Sequence, residues 1–209
     1  MRKLVLATGN RHKVGELKSM LSALDVQVLC LADYPDAPEA VEDGETFEAN
    51  AIKKAMHVAR ETGEIALADD SGLVIEALDG RPGVHSARYA PTNNERIARV
   101  LHEMSGVPKA ERTAWFVCVA AVADPEGNVA TRKGTCEGRI TQNPFGSAGF
   151  GYDPIFYVPE LRQTMAQLAP PAKNRISHRG AAMDKMLHLL KSIFMDGVSV
   201  HQLPEEDPD

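Results

Sequence analysis

Cysteine is scarce in this 209-residue chain: Cys30, Cys118 and Cys136 are odd in number and form no Cys-x-x-Cys pair. That excludes both a disulfide framework and a cysteine zinc site, and a reducing cytoplasm is the simplest compartment. A surplus of positive charge is also missing, with 23 Lys and Arg against 29 Asp and Glu and a net charge of −6. Four of those acids, Glu205, Glu206, Asp207 and Asp209, lie in the last six residues. The near-neutral remainder is no match for a nucleic-acid backbone, which demands excess Lys and Arg. Long apolar runs are lacking too, and nowhere do about 18 apolar residues follow one another. The run Leu4 to Ala7 is too short for a signal peptide before Thr8-Gly9-Asn10 breaks it, so no membrane role is expected. What is present is ordinary: 44% hydrophobic and 25% charged residues allow a sizeable core and exclude a disordered or fibrous chain. The length suggests one large domain with two lobes, spanning 1–194.

Leu4 to Ala7 reads as a buried strand, and Val14, Leu17, Met20, Leu21 and Leu24 repeat at helical spacing after the Gly9 turn. A second helix is expected from Thr46 to Arg60, ended by Gly63, and then a short strand from Ile65 to Ala68. Asp69-Asp70-Ser71-Gly72 reads as a turn before strand resumes at Leu73 to Ile75. Ile97, Val100, Leu101 and Met104 mark a third helix closed by Gly106 and Pro108. Thr113 to Ala123 and Val129 to Glu137, joined by Asp124-Pro125-Glu126-Gly127-Asn128, suggest a long hairpin. Between Thr141 and Pro154 lies a Gly-rich loop too long for a mere connector. The last helix runs from Ser177 to Phe194, and the tail 195–209 is expected to fray. Together these elements predict an α/β fold with a mixed sheet flanked by helices.

Three clusters could carry chemistry. Thr8-Gly9-Asn10-Arg11-His12-Lys13 joins a strand to a helix, where free amides and the helix dipole favour an anion. The Walker A spacing is absent, and an Asn-capped helix start with solvated Arg11 and Lys13 is the alternative. Asp69 and Asp70 stand at the end of a strand that leads into the turn, where adjacent residues point to opposite faces, and a carboxylate at a strand end can hold Mg²⁺ and take a proton from water. Glu42, Asp43 and Glu45 could bring a second carboxylate to the same ion; solvated acids in turns are the alternative. Lys173 with Ser177-His178-Arg179 forms the third cluster, because His and Arg at a helix N-terminus oppose its dipole and ask for an anionic or acceptor-rich partner.

Thr8-Gly9-Asn10-x-x-Lys13, Glu42-x-Gly44-x-Thr46-Phe47, Asn50-Ala51, Lys54-Ala55, Ala68-Asp69-Asp70-Ser71-Gly72-Leu73, Ser86-Ala87-Arg88-Tyr89, Gly149-Phe150-Gly151-Tyr152-Asp153-Pro154 and Ser177-His178-Arg179, taken in order, closely resemble the inosine/xanthosine triphosphate pyrophosphatase family. The resemblance runs from residue 3 to about 194. It implies a two-lobed α/β structure with a long twisted mixed sheet, a nucleotide cleft between lobes, and a homodimer. It implies Mg²⁺-dependent hydrolysis of dITP, ITP and XTP to monophosphate and pyrophosphate, a cleansing of the nucleotide pool. By position, Thr8, Gly9, Asn10, Arg11, His12 and Lys13 would hold the triphosphate. Asp70 would be general base and metal ligand, Glu42 a second ligand, and Ser71 a substrate contact. Phe150, Gly151, Tyr152, Asp153, Lys173, His178 and Arg179 would form the base and sugar pocket, with His178 or Arg179 donating to the purine O6. His85 stands where the family usually has Tyr, and Pro170-Pro171 replace a more acidic stretch. Two competitors are a pyrophosphatase for pyrimidine or modified triphosphates and a nucleotide-binding regulator without turnover.

Overall fold

A computed structural model describes residues 2–35 and 40–204. Seven strands, β1 (Lys3–Leu6), β2 (Gln27–Cys30), β3 (Ile65–Ile75), β4 (Thr113–Ala123), β5 (Val129–Ile140), β6 (Phe156–Val158) and β7 (Gln163–Thr164), form one sheet in the order β2-β1-β3-β4-β5-β6-β7. β1 runs parallel to both β2 and β3, whereas β5 with β6 and β6 with β7 pair antiparallel, so the sheet is mixed as expected. Five helices accompany it: α1 (Arg11–Met20), α2 (Phe47–Thr62), α3 (Asn93–Glu103), α4 (Pro170–Ile176) and α5 (His178–Phe194). The chain forms two compact units, one of Met1–Asp70, Cys118–Gly134 and Arg179–Asp209, the other of Ser71–Val117 and Thr135–His178.

In the first unit the two-residue period of the strands sorts side chains to two faces. Leu4, Leu6, Leu67, Cys118, Ala120 and Val122 pack with Leu17 and Leu21 and with Met183, Met186 and Leu190 of α5. The intervening Val5, Ala7, Ala66, Ala68, Val119 and Ala121 pack with Ala51, Ala55, Val58 and Ala59 of α2. Strands covered on both faces explain the unbroken apolar runs in the sequence. Alanine on both surfaces of the α2 contact lets that helix lie close to the sheet. α2 starts on Thr46, whose side chain accepts from the Ala49 N–H at 3.0 Å, and stops at Gly63, where a φ of 68° is open to glycine at little cost.

The second unit has its own core of Leu73, Ile75, Ile97, Val100, Met104, Phe116, Ile155 and Phe156. Arg112, 4% exposed, braces it by donating to the carbonyls of Met104, Val107, Ile140 and Thr141.

The structure differs from the sequence reading in four places. Residues 69–72 are not a turn, because β3 runs unbroken from Ile65 to Ile75. β2, β6, β7 and α4 were not expected, being short and lacking a clear period. β5 extends to Ile140 rather than ending near Glu137. The stretch expected to fray from Met195 is packed up to Pro204: Val200 is 3% exposed, Leu203 lies against the same core, and the Pro204 carbonyl accepts from Arg132 at 2.8 Å. The acidic residues 205–209 lie outside the described residues.

Candidate active site

The turn reading of 69–72 fails because both acids of β3 are buried and matched by partners on opposite faces. Asp69 is 1% exposed and Asp70 7%. Asp69 Oδ2 accepts from Lys13 Nζ at 3.0 Å, and from Arg179 Nη2 and Nε at 3.0 and 3.2 Å. The Cys118 thiol lies 3.9 Å from the same oxygen, and burial pushes that thiol up to about 12, so it stays a neutral S–H donor. Arg179 Nη1 in turn donates to Glu16 Oε2 at 2.6 Å.

On the other face, Asp70 Oδ1 accepts from Lys54 Nζ at 3.0 Å and Oδ2 from Asn50 Nδ2 at 3.3 Å. Lys54 also donates to the Asp69 carbonyl at 2.8 Å and pairs with Glu42 Oε1 at 3.2 Å. Asn50 and Lys54 are one helical turn apart on α2, so both reach the same strand position. The Asn50 amide also clasps Gly44, accepting from its N–H at 2.7 Å and donating to its carbonyl at 3.3 Å. A Cβ at Gly44 would stand 2.7 Å from Asn50 Oδ1, so that clasp requires glycine. Glu42, two residues earlier, is thereby tied to the Asp70 neighbourhood. A cavity of about 120 Å³ lined in part by Thr8, Gly9, Glu42 and Lys54 adjoins this group. It is smaller than the roughly 300–1,000 Å³ of a whole-ligand pocket.

The two adjacent carboxyls are pushed in opposite directions. Burial opposes ionisation of Asp69, but the charges of Lys13, Arg179 and Lys54 overcome it and hold the group well below the usual carboxylate range. At Asp70 burial prevails over Lys54 and Lys13, and the nearby Glu42 charge adds to it, so the carboxyl titrates above its ordinary value. Burial also works against the Lys54 ammonium, yet Asp70, Asp69 and Glu42 together keep it more firmly protonated than usual. Environments that drive two titratable neighbours apart assign distinct roles to each.

At the β1–α1 junction Asn10 caps the helix, but Lys13 is not solvated as the alternative to an anion site requires. Asn10 Oδ1 accepts from the amides of His12 at 3.0 Å and Lys13 at 3.4 Å, and Thr8 Oγ1 accepts from the Asn10 N–H at 3.2 Å. The amides of His12 and Lys13 are therefore engaged by the cap rather than bare. Arg11 and His12 are exposed, whereas Lys13 leans onto Asp69 rather than into solvent.

In the second unit Asp153 Oδ2 accepts from Lys173 Nζ at 2.6 Å and from the Phe150 N–H at 2.8 Å. The Lys173 ammonium also lies 4.8 Å from the centre of the Phe150 ring. The Tyr152 hydroxyl, expected in the pocket, donates to the Ser86 carbonyl at 2.9 Å and is itself buried. His178 stacks on Phe116 with ring centres 4.7 Å apart. Gly151 takes a positive φ of 61°, and Ser71 is half-buried in β3.

The Arg179 side chain is 2% exposed, and three of its N–H groups face Asp69 and Glu16. The sequence reading gave no role to Asn50, Lys54 or Glu16. A polar pair four residues apart beside the apolar face of α2 was the signal for the first two; Glu16 carried none.

Among the described residues no group of three or more His, Cys, Asp or Glu gathers to hold a metal. Two carboxylates, Asp70 and Glu42, nevertheless converge on one cation, the Lys54 ammonium. Hard oxygen donors in that number suit Mg²⁺, which is commonly held by one or two carboxylates together with substrate phosphates.

The fold and this site define a class: an α/β protein in which an inner strand of the sheet carries two adjacent buried carboxyls flanked by lysines. The chain belongs to the Ham1 family, whose model matches residues 4–189. It is 49% identical over 196 residues to a dITP/XTP pyrophosphatase of Desulforamulus reducens, covering 92% of this chain and 98% of the relative. It is 50% identical over 189 residues to the Geobacillus kaustophilus protein of the same name, covering 89% and 93%. A HAM1 protein from Coxiella burnetii has a similar structure, with a TM-score of 0.84 at 42% identity, covering 92% of this chain and 100% of the other.

Proposed function

We propose that this protein is a nucleoside triphosphate pyrophosphatase acting on dITP and XTP, and on ITP, releasing pyrophosphate and the monophosphate. The observation that carries the chemistry is Asp70: a carboxyl raised by burial, held at 3.0 Å by the Lys54 ammonium, beside a small cavity lined by Thr8, Gly9 and Glu42. Relatives about half identical over nearly their whole length carry the name dITP/XTP pyrophosphatase, which supports the substrate class.

In this reading Asp70 accepts a proton from a water whose oxygen attacks the α-phosphorus. The bond from the α-phosphorus to the α–β bridging oxygen breaks, and pyrophosphate leaves with that oxygen. Lys13 and Lys54 set positive charge against the phosphate oxygens, a stabilisation that strengthens in a water-poor site. Asp69, strongly ionised, is unsuited to accepting the proton and instead anchors Lys13. Asp70 and Glu42 would hold Mg²⁺, which when bound supplies charge neutralisation and Lewis acidity. Phe150, Asp153, Lys173 and His178 remain the residues proposed to receive the base and sugar. A homodimer in the cytoplasm belongs to the same proposal.

The test is pyrophosphate release by the purified protein with Mg²⁺ from dITP, XTP, dGTP, dATP and dCTP. We expect dITP and XTP to lead. A preference for dCTP would move the protein to the pyrimidine group, and binding without turnover would make it a regulator. Chelation with EDTA is expected to abolish turnover and added Mg²⁺ to restore it.

A further inference from the structure

Asn50 is fully buried in the first turns of α2, and its amide is engaged on both sides. Oδ1 accepts from the Gly44 N–H at 2.7 Å, while Nδ2 donates to the Gly44 carbonyl and to Asp70 Oδ2, each at 3.3 Å. A carboxamide offers two N–H donors and a carbonyl acceptor in one plane, and this constellation uses all three groups. An aspartate of the same size could make neither donation. Any buried polar side chain needs partners, but these partners are the loop that carries Glu42 and the carboxyl of Asp70.

Other contacts also bind that loop to α2, and they grip it less firmly. Asp43 pairs with Lys53, but both side chains are exposed, and such a pair fixes position weakly. Glu42 pairs with Lys54 at 3.2 Å through a long side chain. Asn50 holds the backbone itself. The Gly44 N–H belongs to the peptide before that residue and the carbonyl to the peptide after it, so the two hydrogen bonds orient both planes. Because the remaining N–H of the same amide sits on Asp70, one rigid group sets the loop against the strand.

We infer that Asn50 is a positioning residue for the metal: it fixes the Glu42 loop relative to Asp70 so that the two carboxylates reach one cation together. The inference rests on the reading above in taking Glu42 and Asp70 as the residues that would hold Mg²⁺. A residue needed only for folding would lower the melting temperature and leave the metal requirement where it was.

The test titrates Mn²⁺, as a probe for the divalent site, into the full-length protein without nucleotide and reads free Mn²⁺ by electron paramagnetic resonance. The Mg²⁺ concentration giving half-maximal dITP turnover is measured alongside. Asn50→Ala is expected to weaken Mn²⁺ binding and to raise the Mg²⁺ requirement by about 10- to 100-fold, the scale seen when hydrogen-bond partners of metal ligands are removed. Excess Mg²⁺ should restore its kcat to within about threefold of wild type, because both ligands are still present. Gly44→Ala reaches the same clasp without touching Asp70, since its Cβ would stand 2.7 Å from Asn50 Oδ1, and should act in the same direction. In the double variant the two effects should fall short of their sum on a logarithmic scale, as for changes in one chain of contacts. Gly44→Ala carries the test if Asn50→Ala loses its cooperative melting transition.

Mn²⁺ affinity unchanged in both variants, with wild type binding more tightly than a Glu42→Gln control, would overturn the inference and leave the metal ligands standing. Weakening in Asn50→Ala alone would overturn the role of the clasp. Wild-type binding no tighter than that of Glu42→Gln would remove Glu42 as a ligand and the inference with it. If instead the wild type releases no pyrophosphate from dITP, yet both variants weaken Mn²⁺ binding, the proposed activity falls and the role of Asn50 stands.

Discussion

At the scale of single residues, the proposed chemistry turns on two neighbouring aspartates given different surroundings. Lys13 and Arg179 stabilise the Asp69 charge, and burial weakens that of Asp70 even with Lys54 at 3.0 Å. Asp70→Asn keeps the size and an acceptor for Lys54 but cannot take a proton. We expect kcat for dITP to fall by about 10² to 10⁴ with the melting temperature and substrate binding little changed. A variant with near-normal kcat would remove Asp70 as the base. A second expectation concerns Gly149, whose φ is 75° and whose added Cβ would run into the Asp153 carboxylate. Gly149→Ala should cost about 1–2 kcal/mol from the left-handed backbone alone, seen as a lower melting temperature. It should also loosen the Asp153 hold on Phe150 and Lys173, raising KM for dITP. Unaltered KM would show that this hold does not matter for the substrate.

At the scale of elements, α2 and α3 show how a helix end sets a site. The Thr46 cap fixes the start of α2, and the alanine face lays it on the sheet so that Asn50 and Lys54 arrive beside Asp70. α3 ends on Glu103, an acid at the C-terminal end, where the helix dipole disfavours it. The offset is local: Glu103 accepts from the Tyr89 hydroxyl at 2.6 Å, from Arg81 at 2.8 Å and from Arg99 at 2.9 Å. Partial burial opposes ionisation, but these partners outweigh it and the carboxyl titrates below its usual value. A depressed carboxylate adds stability above its unfolded pKa, about 4.3, and that stability is lost as pH falls. Glu103→Gln is therefore expected to lower the melting temperature near neutral pH and to flatten its fall between about pH 5 and 3. An acid limb as steep as that of the wild type would exclude Glu103 from it.

At the scale of the whole chain, Arg2 and the stretch up to Leu203 are tied to the first unit. Arg2 donates to the carbonyls of Ile193 and Phe194, which end α5, and Val200 is buried against the same cluster. Truncation after Phe194 should cost about 2–4 kcal/mol by exposing the sites of Val200 and Leu203. That corresponds to roughly 5–15 °C in melting temperature for a chain of this size. A protein ending at Pro204 is the control. Equal melting temperatures for the two would mean that residues 195–204 add nothing to the core. No helix among the described residues is long and apolar enough to cross a membrane.

Much of the architecture was legible in the sequence because it rests on local rules. Buried strands showed as apolar runs, α2 as a capped helix stopped by glycine, and β4 and β5 as strands about a turn of Asp, Pro, Gly and Asn. The grouping of Thr8 to Lys13, Glu42 and Asp70 came from motif order. What only the tertiary structure decided is which charge meets which. Asp69 and Arg179 lie 110 residues apart, and Lys13 and Asp69 56. Nothing local to Asp69-Asp70-Ser71-Gly72 says that lysines and an arginine from three helices will neutralise it. A polar, Gly-containing tetrapeptide in water is a turn; the same residues with their charges matched on both faces continue a strand. The difference is the desolvation of two carboxylates, which only partners brought by the sheet order can offset.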